Sequence, residues 1–419
     1  MTLSEKLDLR CAAVECEVIG WRRDLHQFPE LSNREFRTAG IVTQHLQSLG
    51  LEVRTGLAHT GVVAVLRGSR PGPVVALRAD MDALPVVETV DLPFASRERV
   101  TYNGQEVGVM HACGHDAHTA ILMGVAQVLS ELREEIRGTV LFVFQPAEEG
   151  APEGEEGGAE LMIRQGALHD PKPEAIFGLH VTSQFPVGTI GTRPAALMAA
   201  VDTLKIKVTG RQTHGAYPWR GVDPIVAAAQ IVLGLQTVVS RRANLTVGPA
   251  IVTIGAIHGG VRNNIIPGEV TMIGTLRSLD VEMRDELHRG VKQTAEKIAE
   301  SSGATAEVTI IPGYPITFND PALTASMVPV LGDVAGSANV LDIPAVLGAE
   351  DFAFYQQKLP GMFFFLGTRP VDVSLTDAAP NHAPDFYVDE SGLLLGLRAM
   401  THLATNFLES RDGQHSGSG

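Results

Sequence analysis

The chain has 419 residues, with 33 Lys and Arg against 48 Asp and Glu, a formal charge of −15 with neutral histidines. No Lys/Arg cluster interrupts that acidic balance, so nucleic acid, which must be met by a basic face, is excluded as a partner, and a membrane of anionic lipid is disfavoured for the same reason. The length suits two or three domains, and 44% hydrophobic residues can fill a core in each.

A helix is predicted from the N-terminus to about Phe28 and a second from Arg34 to Leu49. The opening segment alternates charged and apolar residues and lacks the apolar run of a secretory signal. No run of about 20 apolar residues offers a bilayer span. Cys11, Cys16 and Cys113 are odd in number and too few for a disulfide framework, which predicts a reducing, cytoplasmic setting.

After Leu49 come short apolar runs typical of buried strands. VVALRADMD, TVLFVFQPAEE and AIFGLH each place mostly apolar residues directly before Asp, Glu or His, with helical patterns between them. Such alternation predicts a mainly parallel sheet covered on both faces, with ligands bound beyond the carboxyl ends of its strands. From about Thr192 the pattern changes to strand LKIKVTG, helix Asp223 to Arg242, strands AIVTIGAIHGG and EVTMIGTLRS, helix Val281 to Ser302 and strand TAEVTIIPG. That order is βαββαβ, a ferredoxin-like unit. A helix near Pro321 to Leu331 and the strand MFFFLG then return to the first pattern. The expectation is an α/β catalytic domain over residues 1–191 and 313–410, with an insert at 192–312 and a polar, disordered tail at 411–419. No internal repeat is evident.

In MHACGHDAHTA, Cys113 and His115 precede a helix whose Ile121, Leu122, Val125, Leu129 and Leu132 share a face. Thiolate and imidazole suit zinc and its transition-metal neighbours, although a buried Cys also serves as a small hydrophobe. In QPAEEG, adjacent Glu148 and Glu149 can divide labour, one binding metal while the other accepts a proton. His180, Glu149 and Asp80 terminate strands at one sheet edge, and His382 lies in NHAPDF; singly each reads as structural, together they predict a polynuclear metal site. Asp80 is expected to orient a metal-bound imidazole, with Arg78 paired to a nearby carboxylate. In the insert, His214, Asn264 and Arg277 are donors suited to an oxyanion and a substrate carboxylate. His26, His45, His59, His169 and His258 lack a supporting constellation.

Eight segments, RADMDALP, HACGHDAHTA, QPAEEG, GLH, THGAYP, NNIIP, GAEDF and NHAPDF, follow the order found in one metallopeptidase family. Over about residues 20–400 the chain resembles the aminoacylase and hippurate hydrolase branch of the dimetal aminoacylase-carboxypeptidase family, which includes indole-acetyl-amino-acid amidohydrolases. The resemblance implies a dimetal amidohydrolase acting on N-acyl or N-aroyl L-amino acids, with dipeptidase, carboxypeptidase-like or N-acetyl-diaminopimelate deacetylase activity as the alternative. It implies Cys113 as bridging ligand, His115, Glu149, His180 and His382 as the other ligands, and Glu148 as general base. Asp80 is then the supporting carboxylate, His214 the oxyanion donor, sometimes across a homodimer, and Asn264 and Arg277 substrate contacts. Two divalent ions are implied, zinc first, with manganese, nickel or cobalt possible. The carboxypeptidase branch has a metal-binding His where this chain has Arg78 and a bridging Asp where it has Cys113. Glu350 and Asp351 of GAEDF acquire no role. Thiol hydrolysis by Cys113 with His115 as base, and a non-catalytic binding protein, are the competing readings.

Overall fold

In a computed structural model that describes residues 1–410, the chain divides into two units. The larger comprises Met1–Ala195, Phe318–Pro344 and the chain from Phe354 on; the smaller comprises Ala196–Thr317 and Ala345–Ala353. The expected tail, 411–419, lies outside the described residues.

The larger unit is built on an eight-stranded sheet, in the order Glu52–Leu57, Gly61–Arg67, Arg137–Gln145, Arg70–Asp80, Ala175–Pro186, Gly361–Arg369, Ile190–Thr192 and Val340–Asp342. Its four central strands are parallel, and antiparallel pairs lie towards both edges. Val140–Gln145 and Ala175–Ser183 are buried without alternation, the signature of strands covered on both faces. Helices Leu3–Gln27, His115–Glu131 and Leu393–Ser410 pack on one another and on this sheet, and join its apolar side chains in one core. The last of these helices has no counterpart among the predicted elements. It is buried on most of its circumference, so LLLGLRAMTHLATNFL carries no clean amphipathic stripe.

The smaller unit is the expected ferredoxin-like fold. Strands Ala200–Thr209, Ala250–Gly259, Glu269–Ser278 and Thr305–Pro312 form an antiparallel sheet in the order second, third, first, fourth. Helices Pro224–Thr237 and Val281–Ser301 bury Ala227, Ile231, Leu235, Leu287 and Val291 against Leu204, Ile206, Val270 and Met272. Its bounds differ from the expected 192–312. Thr192 ends a strand of the larger sheet, whereas Ala345–Ala353 is tied to the smaller unit by Ala199 N donating to Gly348 O and Arg277 Nη1 donating to Leu347 O at 2.7 Å.

One exclusion needs correction. The helical stretch Pro224–Arg242 is long and apolar enough to cross a membrane by length and composition. Gln230, Gly234 and Gln236 interrupt its apolar run, yet its average stays as apolar as that of a spanning helix. In the fold it packs one face on the small sheet, as a core helix does.

Phe142 is fully buried in a central strand. Phe142→Ala is expected to cost about 3–5 kcal/mol, read as a lower urea midpoint at equal metal content; a loss under about 1 kcal/mol would contradict this account of the core.

Candidate metal centre

Two strand ends, Asp80 and Gln145, meet at one level of the larger sheet beside His180, which lies within Ala175–Pro186 instead of ending a strand as expected. Asp80 stands opposite Gln145 and Arg78 opposite Gly178, which brings His180 level with Asp80. The helix His115–Glu131 starts beside them after Gly114, whose φ of 86° and close approach to Val181, 2.2 Å from a built Cβ, leave room for no side chain.

Cys113 Sγ lies 3.3 Å from His180 Nε2. The ligand atoms of Cys113, His115 and His180 all fall within 4.8 Å of one another, as do those of Cys113, Glu149 and His382, and those of His115, Glu148 and Glu149. Cys113 is common to the first two groups, the position a bridging donor occupies.

Hydrogen bonding fixes which imidazole nitrogens face the site. His180 Nδ1 donates to Val181 O at 2.7 Å, leaving Nε2 to accept from the Cys113 thiol. His115 Nδ1 donates to Asp82 Oδ1 at 3.2 Å, and its buried Nε2 has no hydrogen-bond partner among the described residues. Three carboxylate oxygens surround that nitrogen beyond bonding distance, Asp80 Oδ2 at 3.8 Å, Glu148 Oε2 at 3.9 Å and Glu149 Oε1 at 4.0 Å. A nitrogen without a hydrogen-bond partner, facing carboxylates across such a gap, is what a cation site requires. His118 is different: Nδ1 donates to Asp80 Oδ1 and Nε2 accepts from Val181 N at 2.8 Å, so neither nitrogen can ligate.

The supporting carboxylate is therefore not the expected one. Asp80 is occupied by Arg78 Nη1 at 2.6 Å and by His118, and Asp82 holds His115. The strand ends at Asp80, so Asp82 lies past the pleat and is free to turn inward. It also accepts from Ser32 Oγ at 2.7 Å and from the backbone amides of Glu148 and Glu149 at 3.1 and 3.0 Å. Glu148 is buried, while Glu149 Oε1 turns to His382 Nε2 at 3.2 Å. His382, half-exposed, is held by its own amide on Ala112 O, and Asn381 Nδ2 donates to Cys113 O and Val181 O. Asp82, Ser32, His118 and Asn381 were not assigned these roles from sequence; for Asp82 and Asn381 the signal was adjacency to RAD and to His382.

A family model described as Peptidase family M20/M25/M40 matches residues 76–406. The chain belongs to this family. Among curated relatives, it is 41% identical to thermostable carboxypeptidase 2 of Saccharolobus solfataricus, over 97% of this chain and 99% of the relative. It is 37% identical to N-acetyl-L-cysteine deacetylase of Bacillus subtilis, over 98% and 93%. A solved Bacillus subtilis structure described as a dinuclear metal binding peptidase from the M20 family aligns with TM-score 0.79 at 36% identity, over 95% of this chain and 99% of that one. The M20 chain is a metal-dependent amidohydrolase.

Its donors suit that chemistry, since a thiol, imidazoles with Nε2 turned to the site and carboxylates fit two divalent transition-metal ions. Without cations, protons balance the charge. Burial, then the charges of Glu149, Glu148 and Asp80, push the Cys113 thiol well above its usual range. Burial opposes a charge on His115, yet Asp80, Asp82 and Glu149 outweigh it and raise the imidazole to about 10. Burial likewise opposes ionisation of Asp80, but Arg78, His115 and His118 hold its carboxyl well below the carboxylate range.

His214, Asn264 and Arg277 belong to the smaller unit of the M20 fold. His214 and Asn264 line a hollow of about 420 Å³ with Gln212, Thr213, Arg262 and Ile265. His214 Nδ1 accepts from Ala216 N at 3.0 Å, so the neutral ring carries its proton on Nε2. Arg277 does not line that hollow; its guanidinium is engaged by Leu347 O.

Because Cys113 and His115 keep protons near neutral pH and ligation needs them bare, metal loading is expected to release protons, with affinity falling as pH falls. Titration calorimetry with zinc in buffers of different ionisation enthalpy checks this; buffer-independent heats would contradict it.

Proposed function

We propose that this M20-family hydrolase cleaves N-acyl or N-aroyl L-amino acids to a carboxylic acid and a free amino acid. The observation that carries the reading is the division between two adjacent glutamates. Their backbone amides are both fixed by Asp82, while Glu149 faces His382 and Glu148 stays buried within 3.9 Å of His115 Nε2. Cys113, His115, Glu149, His180 and His382 would hold two divalent ions, zinc first on this donor chemistry, with manganese, nickel or cobalt also compatible. Such ions supply Lewis acidity for the amide carbonyl and for water. Glu148 then takes a proton from the attacking water as the C–O bond forms, and returns it to the amide nitrogen as the C–N bond breaks. From the smaller unit, the Nε2–H of His214 suits a developing oxyanion, and Asn264 and Arg277 are assigned to the substrate.

A second reading, carboxypeptidase or dipeptidase action by the same machinery, is favoured by the 41% identity to a carboxypeptidase. Deacetylation of N-acetyl-diaminopimelate is a further variant of that alternative. The carboxylates that raise the Cys113 thiol weigh against thiol catalysis. A reducing, cytoplasmic setting is proposed because Cys113 must remain a thiol and all three cysteines are free.

Hippurate, N-acetyl-methionine, N-acetyl-diaminopimelate, a long-chain acyl amino acid and a dipeptide, offered to chelator-stripped and metal-restored protein, separate these readings. Glu148→Gln should keep its metal and lose about 10²–10⁴-fold in kcat. Near-normal turnover would remove Glu148 from its role.

A homodimer through the smaller unit is also proposed. Ile225, Val226 and Leu233 are exposed on its helix, and Ala250–Gly259 is a sheet edge with Ile257 exposed. Sedimentation should give a dimer that Leu233→Glu weakens; a monomer throughout would end the proposal.

A further inference from the structure

One buried carboxylate outside the proposed ligand set governs the turn that presents Glu148 and Glu149. Glu35 is fully buried, just before the helix Phe36–Ser48. Its Oε1 accepts from Asn33 N at 3.1 Å and from Ala147 N at 2.9 Å, and its Oε2 accepts from Thr60 Oγ1 at 2.6 Å. Asn33 and Ala147 both adopt left-handed backbone conformations, φ 61° and 54°. Asn tolerates that conformation, but Ala holds it only where its surroundings over-determine it. Here the same oxygen binds the amides of both.

The turn reads as a relay of captured amides. Ala147 N goes to Glu35, Glu148 N to Asp82 Oδ1 and Glu149 N to Asp82 Oδ2. Asp82 alone would leave the turn free to pivot at Ala147, whose relaxed state is extended rather than left-handed. With the Ala147 amide fixed as well, the rotation of the chain into Glu148 is set, and with it which of the two side chains turns to His382 and which stays buried.

We propose that Glu35 is a positioning residue for the hydrolytic step, acting through Ala147 to aim the Glu148 carboxylate. The proposal rests on the reading of Glu148 as the base. It concerns an acceptor's geometry, which separates it from a generic core role. Glutamine keeps the Oε1 acceptor and can turn its NH₂ to the Thr60 hydroxyl, which accepts as well as donates. Alanine removes every contact, and aspartate is one methylene too short to span Thr60 and Ala147 together.

The test compares Glu35→Ala, Glu35→Gln and Glu35→Asp with wild type as metal-loaded protein, measuring metal content, kcat and KM on the best N-acyl amino acid, and hydrogen exchange of a peptide spanning 145–150. Expected for Glu35→Ala is a fall in kcat on the order of 10- to 100-fold, the scale of a misplacement of about 1 Å, with metal content and KM little changed and faster exchange in that peptide. Glu35→Gln should recover most of kcat and protection, and Glu35→Asp little of either. Wild-type turnover in Glu35→Ala, a Gln variant as poor as Ala, or loss of metal in parallel with kcat would each overturn the proposal. Should Glu35→Ala fail to fold, the Gln against Asp contrast decides it. If wild type hydrolyses no N-acyl amino acid, the substrate reading has failed by itself. The exchange comparison still tests the anchor, and unchanged protection then overturns it.

Discussion

The site depends on a buried carboxylate, Asp82, that is satisfied four times over. Ser32 Oγ, His115 Nδ1 and the amides of Glu148 and Glu149 all converge on it. An ionised carboxyl in the interior is tolerable only with such a donor set, and burial alone would push it towards the protonated form. Here the bonds win and its carboxyl is held below the usual range, His115 being the largest of them. Each bond that stabilises Asp82 also aims something. One holds His115 Nδ1 so that Nε2 turns to the site; two orient the turn of adjacent glutamates.

The histidines show how the same side chain is sorted into ligand and support. His115 and His180 each give Nδ1 to a protein acceptor and turn Nε2 to the site, where that of His115 has no partner among the described residues and that of His180 meets the Cys113 thiol at 3.3 Å. His118, one turn along the helix from His115, gives both nitrogens away, and so ties the Asp80 strand end to the backbone at Val181. Proximity does not separate these cases, since Asp80, His115 and His118 are as tightly clustered as the proposed ligands. Counting donors and acceptors does.

Much of this was legible in the sequence because the sheet is central and parallel. Strands buried on both faces read as unbroken apolar runs, and the site begins where two of them stop, at Asp80 and Gln145, and at His180 of a third that runs on to Pro186. The edge strands gave no hint of being antiparallel, as apolar content does not encode direction. Ser32, Glu35 and Asn381 reach the site from 50 to 268 residues away in the chain, with no local periodicity to mark them. One of the site's backbone constraints, left-handed Ala147, involves a residue type that rarely adopts that conformation, so sequence reasoning had no ground to expect it.

Charge explains why these parts are arranged around a thiol. Asp80 is neutralised locally by Arg78, 2.6 Å away. That leaves Glu148, Glu149, Asp82 and, once ionised, Cys113 as anions around imidazole nitrogens. The start of a helix favours a thiolate by a modest amount, and Cys113 sits just before one, yet the carboxylates overwhelm that effect and keep it protonated. Only added positive charge can ionise Cys113, and two divalent cations carry as much charge as the four anions. As a proposed ligand, Cys113 would give up its proton to bound cations, which would couple metal occupancy to proton loss.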